Sequence, residues 1–200
     1  AAALLRRSGS NRPIYKPEFW DKVQEFDMWT NKYDPIFACQ PLGVPRAGAP
    51  NRIVQTANDV VFLYASGGGG AGTSEYRIIP IDGRKHDPAK AQDVFFWGYS
   101  VGRWEGDTLV IDSIAFNDLT WLEKGGYFHS DKLHVVEKFT RQGNTMRYEV
   151  TAEDPEVLAE PWVLTPRVLR LNPNKDAGLL PEATPCRDYD HDNMVTQIRH

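Results

Sequence analysis

The sequence predicts an all-β protein: an antiparallel β-barrel of lipocalin-like outline, with a short N-terminal helix and irregular termini. Three observations carry this. From residue 52 to residue 172 apolar and polar side chains alternate with the two-residue period of half-buried strands. The alternating runs are joined by turn residues, with no crossover helix between them. Closing such a meander removes exposed edges, and about eight to ten strands leave a lumen for one small ligand.

Taken in order, "KPEFWDKVQEFDMW" reads as a short helix, with Pro17 suited to a first turn and Phe19, Val23 and Phe26 at helical spacing. The proline-rich run "YDPIFACQPLGVPRAGAPN" interrupts any helix or strand ladder and reads as ordered loop. Then "RIVQT", "DVVFLYA", "EYRIIPI", "FFWGYSVGRWEGDTLVIDSI", "KLHVVEKFT", "TMRYEVTA" and "PWVLTPRVLRL" are strand-like. The glycine-rich "ASGGGGAGTSE" lacks the setting of a phosphate loop and reads as a hairpin tip. The 200 residues are thus one domain: helix and wrapping segment over 1–51, barrel strands over 52–172, and an irregular tail over 173–200.

A net charge of -4 with no basic run argues against nucleic acid. No apolar run approaches the roughly 20 residues needed to span a bilayer, so membrane insertion is not expected. The start, "AAALLRRSGS", is too short and wrongly ordered for an intact signal peptide, and reads as a processed remnant or a frayed end. Cys39 and Cys186 stand too far apart for a CxxC motif. A disulfide, two buried thiols and a catalytic cysteine are the three readings. The disulfide, which needs an oxidising compartment, is carried forward.

Within "KLHVVEKFTRQGNTMRYEV" a two-residue Gly143-Asn144 turn pairs Phe139 with Tyr148, Lys138 with Glu149 and Glu137 with Val150. That puts Glu137 in an apolar face with Leu133, Val135, Phe139, Tyr148 and Val150. The hairpin "SVGRWEGDTLVIDS" places Val101, Arg103, Thr108, Val110 and Asp112 on one face, either lumenal or external. The connection "AFNDLTWLEKGGYFHSD" holds Asn117, Trp121, Tyr127 and His129 at the rim, where binding groups concentrate. His129 titrates near neutrality and leads into the strand bearing Glu137; the plainer reading is that it caps a turn. "GYSVG" has the letters of a nucleophile elbow but lies in a hairpin.

The runs "IIPIDGRKHDP", "GYSVGRWEGDTLVIDSIAFNDLTWL" and "HSDKLHVVEKFTR", with "CQPLGVPR" around Cys39, resemble a large group of mostly uncharacterised exported bacterial proteins. Their pattern is roughly D-G-R-x-H, S-V-G-x-W-x-G-D-T-L-V-V-D and H-S-D-x-L-x-V-x-E-R-F, and the match covers about residues 35 to 190. This chain departs with Ala115 in place of the usual Gly, and with its glycine-rich insertion. The resemblance implies a β-rich fold and a periplasmic or secreted location. It marks Asp82, Arg84, His86, Asp112, Asn117, His129 and Glu137 as pattern positions without giving any a role.

These residues lead to an acid/base enzyme of lyase, hydratase or isomerase type, acting without a cofactor on a small, largely apolar or cyclic molecule. Glu137 and His129 form the expected proton-transfer pair, with Asp112, Asn117 and Tyr148 in support. Arg103, Trp97, Trp121, Phe128 and Tyr64 are expected around the substrate. One alternative is a barrel that binds a small molecule without reacting on it. Another is a metal-dependent enzyme using His86, His129 and His134. Self-association into a homo-oligomer is left open.

Overall fold

The computed structural model describes residues 11–26, 33–65 and 75–174, and within them the protein is mostly antiparallel β-sheet with one short α-helix. The chain enters through a 3-10 turn at Pro17–Phe19 that runs into helix α1, Trp20–Glu25. Pro17 sits where a helix has no amide bond to lose. A second 3-10 turn, Pro35–Ala38, opens on Asp34, whose side chain accepts from the Ile36 amide. Asp34 also takes a two-pronged ion pair from Arg46, at 2.7 Å on each oxygen, which ties the proline-rich segment together.

Strands β1 (Arg52–Gln55), β2 (Asp59–Tyr64) and β3 (Glu75–Pro80) make a three-stranded sheet in that order. The larger sheet has the order β10-β9-β8-β5-β4, built from β4 (Tyr99–Glu105), β5 (Thr108–Ile114), β8 (His134–Gln142), β9 (Thr145–Glu153) and β10 (Trp162–Val163). A further strand, β11 (Arg167–Arg170), pairs with β9 on the same sheet. The expected strand "PWVLTPRVLRL" is thus two short pieces along one neighbour. Pro166, between them, has no amide to give to the ladder. Between β5 and β8 the chain makes a small hairpin, β6 (Trp121–Glu123) with β7 (Tyr127–Phe128). The "FFWG" run is a turn leading into β4, not a strand.

Turn chemistry sets the register. Gly143-Asn144 joins Gln142 to Thr145, and Phe139 then faces Tyr148, Lys138 faces Glu149 and Glu137 faces Val150. Gly106-Asp107 joins Glu105 to Thr108 in the same way. Both glycines have positive φ, which two-residue hairpin turns demand. One face of the larger sheet carries Ser100, Ile111, Ser113, Val135, Glu137, Phe139, Tyr148 and Val150, all buried. The smaller sheet lies across this face, with the Phe62 ring edge-on to Phe139 at 5.1 Å. Each fully buried aromatic or aliphatic side chain there contributes about 1.5–3 kcal/mol.

Among the described residues none of the three sheets closes on itself, so two sheets face each other across the core. The edges of β3 and β4 converge at Gly102, where a Cβ would stand 2.9 Å from Ile81 Cγ2 and 3.1 Å from Ile79 Cγ2. Only glycine permits that approach. No helix among the described residues is long and apolar enough to cross a membrane. Cys186, most of the tail over 173–200 and the glycine-rich tip lie outside the described residues, and with them the expected Cys39–Cys186 bridge.

Candidate functional site

Glu137 is fully buried on β8, as its place in the apolar register requires. Its partners leave it no open oxygen. Arg77, from β3, donates to Oε2 at 2.6 Å, and the Tyr148 hydroxyl donates to Oε1 at 2.9 Å. Arg77 also reaches the Tyr64 hydroxyl at 3.2 Å, Ser100 Oγ at 3.0 Å and Ser113 Oγ at 3.2 Å, and the two serines bond each other at 2.8 Å. Burial alone would depress the Arg77 guanidinium, but the charge of Glu137 holds it above its usual value. Burial pushes the Tyr64 and Tyr148 phenols up, so both stay protonated, with Tyr148 donating to Glu137 and Tyr64 accepting from Arg77.

This is a buried ion pair in which both Glu137 oxygens are bonded and, among the described residues, only Nε of Arg77 lacks a partner. The expected hollow around Glu137 is filled by Arg77. Its position was missed because the other face of β3, with Tyr76 and Ile78, is the one exposed to solvent. The available signal was Arg77 sharing a strand period with Ile79 and Ile81.

The expected aromatic lining residues are packed in the same manner. Trp97 and Tyr64 rings lie 4.7 Å apart beside Arg77. Trp121 stacks on Phe26 at 5.8 Å, and Phe128 is enclosed by Tyr15, Phe19 and Phe26, so the residues at the two ends of α1 cover these rings, which were expected to flank a substrate. Lys22 lies over the Phe128 ring at 3.9 Å, and the Tyr15 hydroxyl donates to the Phe128 carbonyl.

His129 is buried and shares no hydrogen-bond partner with Glu137. Its Nδ1–H donates to the Ser130 carbonyl at 2.9 Å, which leaves Nε2 to accept from the Thr120 hydroxyl at 2.8 Å. Burial lowers its pKa, and it stays neutral. The turn-capping reading fits this geometry, and the expected pairing with Glu137 does not. Asn117 caps its own turn, with Oδ1 accepting from the Leu119 amide at 3.1 Å. Arg103 faces outward and pairs with Glu105 at 2.7 Å, not with Asp112.

Asp112 is the exception. It sits on the outer face of β5, where its Oδ1 accepts from His86 Nε2 at 2.9 Å and from His134 Nε2 at 3.2 Å. The three side chains are 28%, 20% and 35% exposed, so the cluster is half-open to water. The bond from His134 holds the Asp112 carboxyl down at about 2, and the same bond raises the His134 imidazole. An ionised Asp112 fixes the tautomer: Nε2 of His134 carries the proton, and Nδ1 keeps the lone pair. Nδ1 stands 3.8 Å from Glu153 Oε2, its partner across the β8–β9 ladder and a neighbour the sequence did not single out.

Of the three histidines proposed as metal ligands, His86 and His134 meet at Asp112, whereas His129 is occupied elsewhere. Among the described residues no three His, Cys, Asp or Glu groups are arranged to hold a metal ion. Near the site, Asp82 and Arg84 form an exposed pair in which the guanidinium holds the Asp82 carboxyl at about 2. No protein-family model, curated protein or solved structure matches this chain.

Proposed function

We propose that the protein is an acid/base enzyme of the lyase, hydratase or isomerase kind, in which Asp112 orients His134 to move a proton on a small, largely apolar carbonyl compound. The observation that carries this is the His134 ring. One nitrogen is fixed on the Asp112 carboxylate at 3.2 Å, and the other carries the lone pair, 3.8 Å from Glu153, on a side chain that water reaches. That division, one nitrogen for orientation and one for chemistry, is the arrangement of a histidine general base. Glu137 and His129 lack it, since every polar atom of their side chains is committed inside the fold.

In the proposed step the Nδ1 lone pair takes a proton from the carbon next to the carbonyl. The C–H bonding pair moves into the new C=C bond, and the carbonyl pair moves to oxygen. The proton remains on Nδ1, and the negative charge of Asp112 offsets the imidazolium. In a β,γ-unsaturated ketone, returning the proton to the γ-carbon completes an isomerisation; in a β-hydroxy ketone, the C–O bond breaks as the hydroxyl takes the Nδ1 proton and leaves as water, which completes an elimination. An apolar body for the substrate is supported by Val94, Phe95 and Leu119. All three are exposed, on loops joined through the Phe95 amide and the Ala115 carbonyl, a few residues beyond Asp112.

The same reading retains a barrel-like, lipocalin-like outline, supported by the approach of β3 to β4 at Gly102. It also retains export to an oxidising compartment, supported by the motif resemblance and the two cysteines.

The test is deuterium uptake from heavy water into the carbon beside the carbonyl, followed by NMR over a panel of small cyclic ketones and enones. The wild-type protein is expected to speed uptake in at least one of them. His134→Gln is expected to lower that rate about 100-fold, and His129→Gln to leave it unchanged. Uptake no faster than in buffer, or equal in wild type and His134→Gln, contradicts the proposal. Ligand-induced shifts at His134 without uptake would favour the binding alternative.

A further inference from the structure

Residues 82–93 leave the smaller sheet after Ile81, whose amide donates to the Asn58 carbonyl at 2.7 Å, and rejoin the body at Phe95, whose amide donates to the Ala115 carbonyl at 2.9 Å. Between these anchors no side chain is buried, and only His86 and Ala91 are even half-buried. Apolar contacts therefore do little to hold the segment down, and such segments open at low free-energy cost.

Several of its hydrogen bonds are internal. Arg84 folds onto Asp82, the Ala89 amide onto Asp87 Oδ1, and the Ala91 amide onto the Asp87 carbonyl. Two polar links run from the segment to the larger sheet among the described residues. The Asp87 amide donates to the Tyr99 hydroxyl at 3.3 Å, and His86 Nε2 donates to Asp112 Oδ1 at 2.9 Å. The His86 ring also stands edge-on to Tyr99 at 5.1 Å. The shorter link ends on the same oxygen that orients His134.

We propose that residues 82–93 form a lid over Asp112 and His134, latched by His86 and opened to admit substrate. The lid rests on the acid/base reading of that site. Because His86 and His134 bond Asp112 independently, releasing His86 uncovers the carboxylate without dismantling the dyad. Asp112 then gains a face for substrate while His134 keeps its orientation. Closure would return His86 to the carboxylate and shed water from the site.

Hydrogen exchange read by mass spectrometry, on the full chain without substrate, tests the latch. In His86→Ala, peptides from 82–93 are expected to exchange at least about 10-fold faster than in the wild type. Peptides from β4, β5 and β8 should be unchanged. Tyr99→Phe, which removes only the longer link, is expected to give a smaller increase in the same peptides. Lid peptides that exchange equally in wild type and His86→Ala overturn the latch, as does a uniform increase across the sheet. The two proposals fail separately: a working latch in a protein without proton-exchange activity overturns the function alone, and activity without latch protection overturns the lid alone.

Discussion

Arg77→Met is expected to cost about 3–5 kcal/mol of folding stability, read as a lowered midpoint in urea unfolding. The reason is Glu137. It has no exposed surface, and among the described residues Arg77 supplies its only charged partner, at 2.6 Å. Without the guanidinium a carboxylate remains in the core with one tyrosine donor, and removing one member of a buried pair leaves the other uncompensated. For a domain of typical stability, about 5–15 kcal/mol, this is a large fraction of the total. The double variant Arg77→Met with Glu137→Met should recover most of the loss, because it removes both desolvated charges together. A loss below about 1 kcal/mol in the single variant would show that Glu137 is hydrated or paired elsewhere.

Gly126→Val is expected to undock α1 and cost about 2–5 kcal/mol. Gly126 has a φ of +81°, and a Cβ there would stand 2.5 Å from both the Cβ and the carbonyl oxygen of Phe26. A left-handed backbone costs an L-residue roughly 1–2 kcal/mol, and an overpacked contact against main chain adds roughly 1–3. Relief comes by moving Phe26, whose ring stacks on Trp121. Faster amide exchange in α1 with unchanged exchange in β8 and β9 would bear this out. Unchanged α1 protection would mean that the close approach of Gly126 to Phe26 is not what docks the helix.

Much of the larger sheet was legible because its determinants are local. A two-residue turn at Gly143-Asn144 leaves one register, and a turn at Glu105-Gly106 or at Gly106-Asp107, the one observed, gives the same faces, so the period-two pattern assigns the side chains. Glu137 could be placed in the core on that basis alone. Its partner could not, because Arg77 arrives from a strand 60 residues away that crosses the face from another sheet. Closure was not legible for a similar reason: local alternation is the same in a barrel and in the two facing sheets seen among the described residues.

The site was half-legible for the same reason. The period put His134 on the face of β8 away from Glu137 and left Asp112 on a face of β5 that was either lumenal or external, and their meeting depends on the alignment of those strands, which are joined by a long connection rather than a tight turn. His129 drew attention because a histidine titrates near neutrality and this one leads into the strand bearing Glu137. Its hydrogen bonds to Thr120 and Ser130 then proved structural.

The pH titration of the imidazoles by NMR, in wild type and Asp112→Asn, tests the central claim most directly. With Asp112 ionised down to about 2, His134 is expected to lose its proton above the ordinary histidine value of 6.5. In Asp112→Asn it should fall back to that value or lower, while buried His129 stays neutral to below 6.5 in both proteins. A His134 that titrates at or below 6.5 in the wild type, or that is unmoved by Asp112→Asn, would contradict a carboxylate-held imidazole at this site.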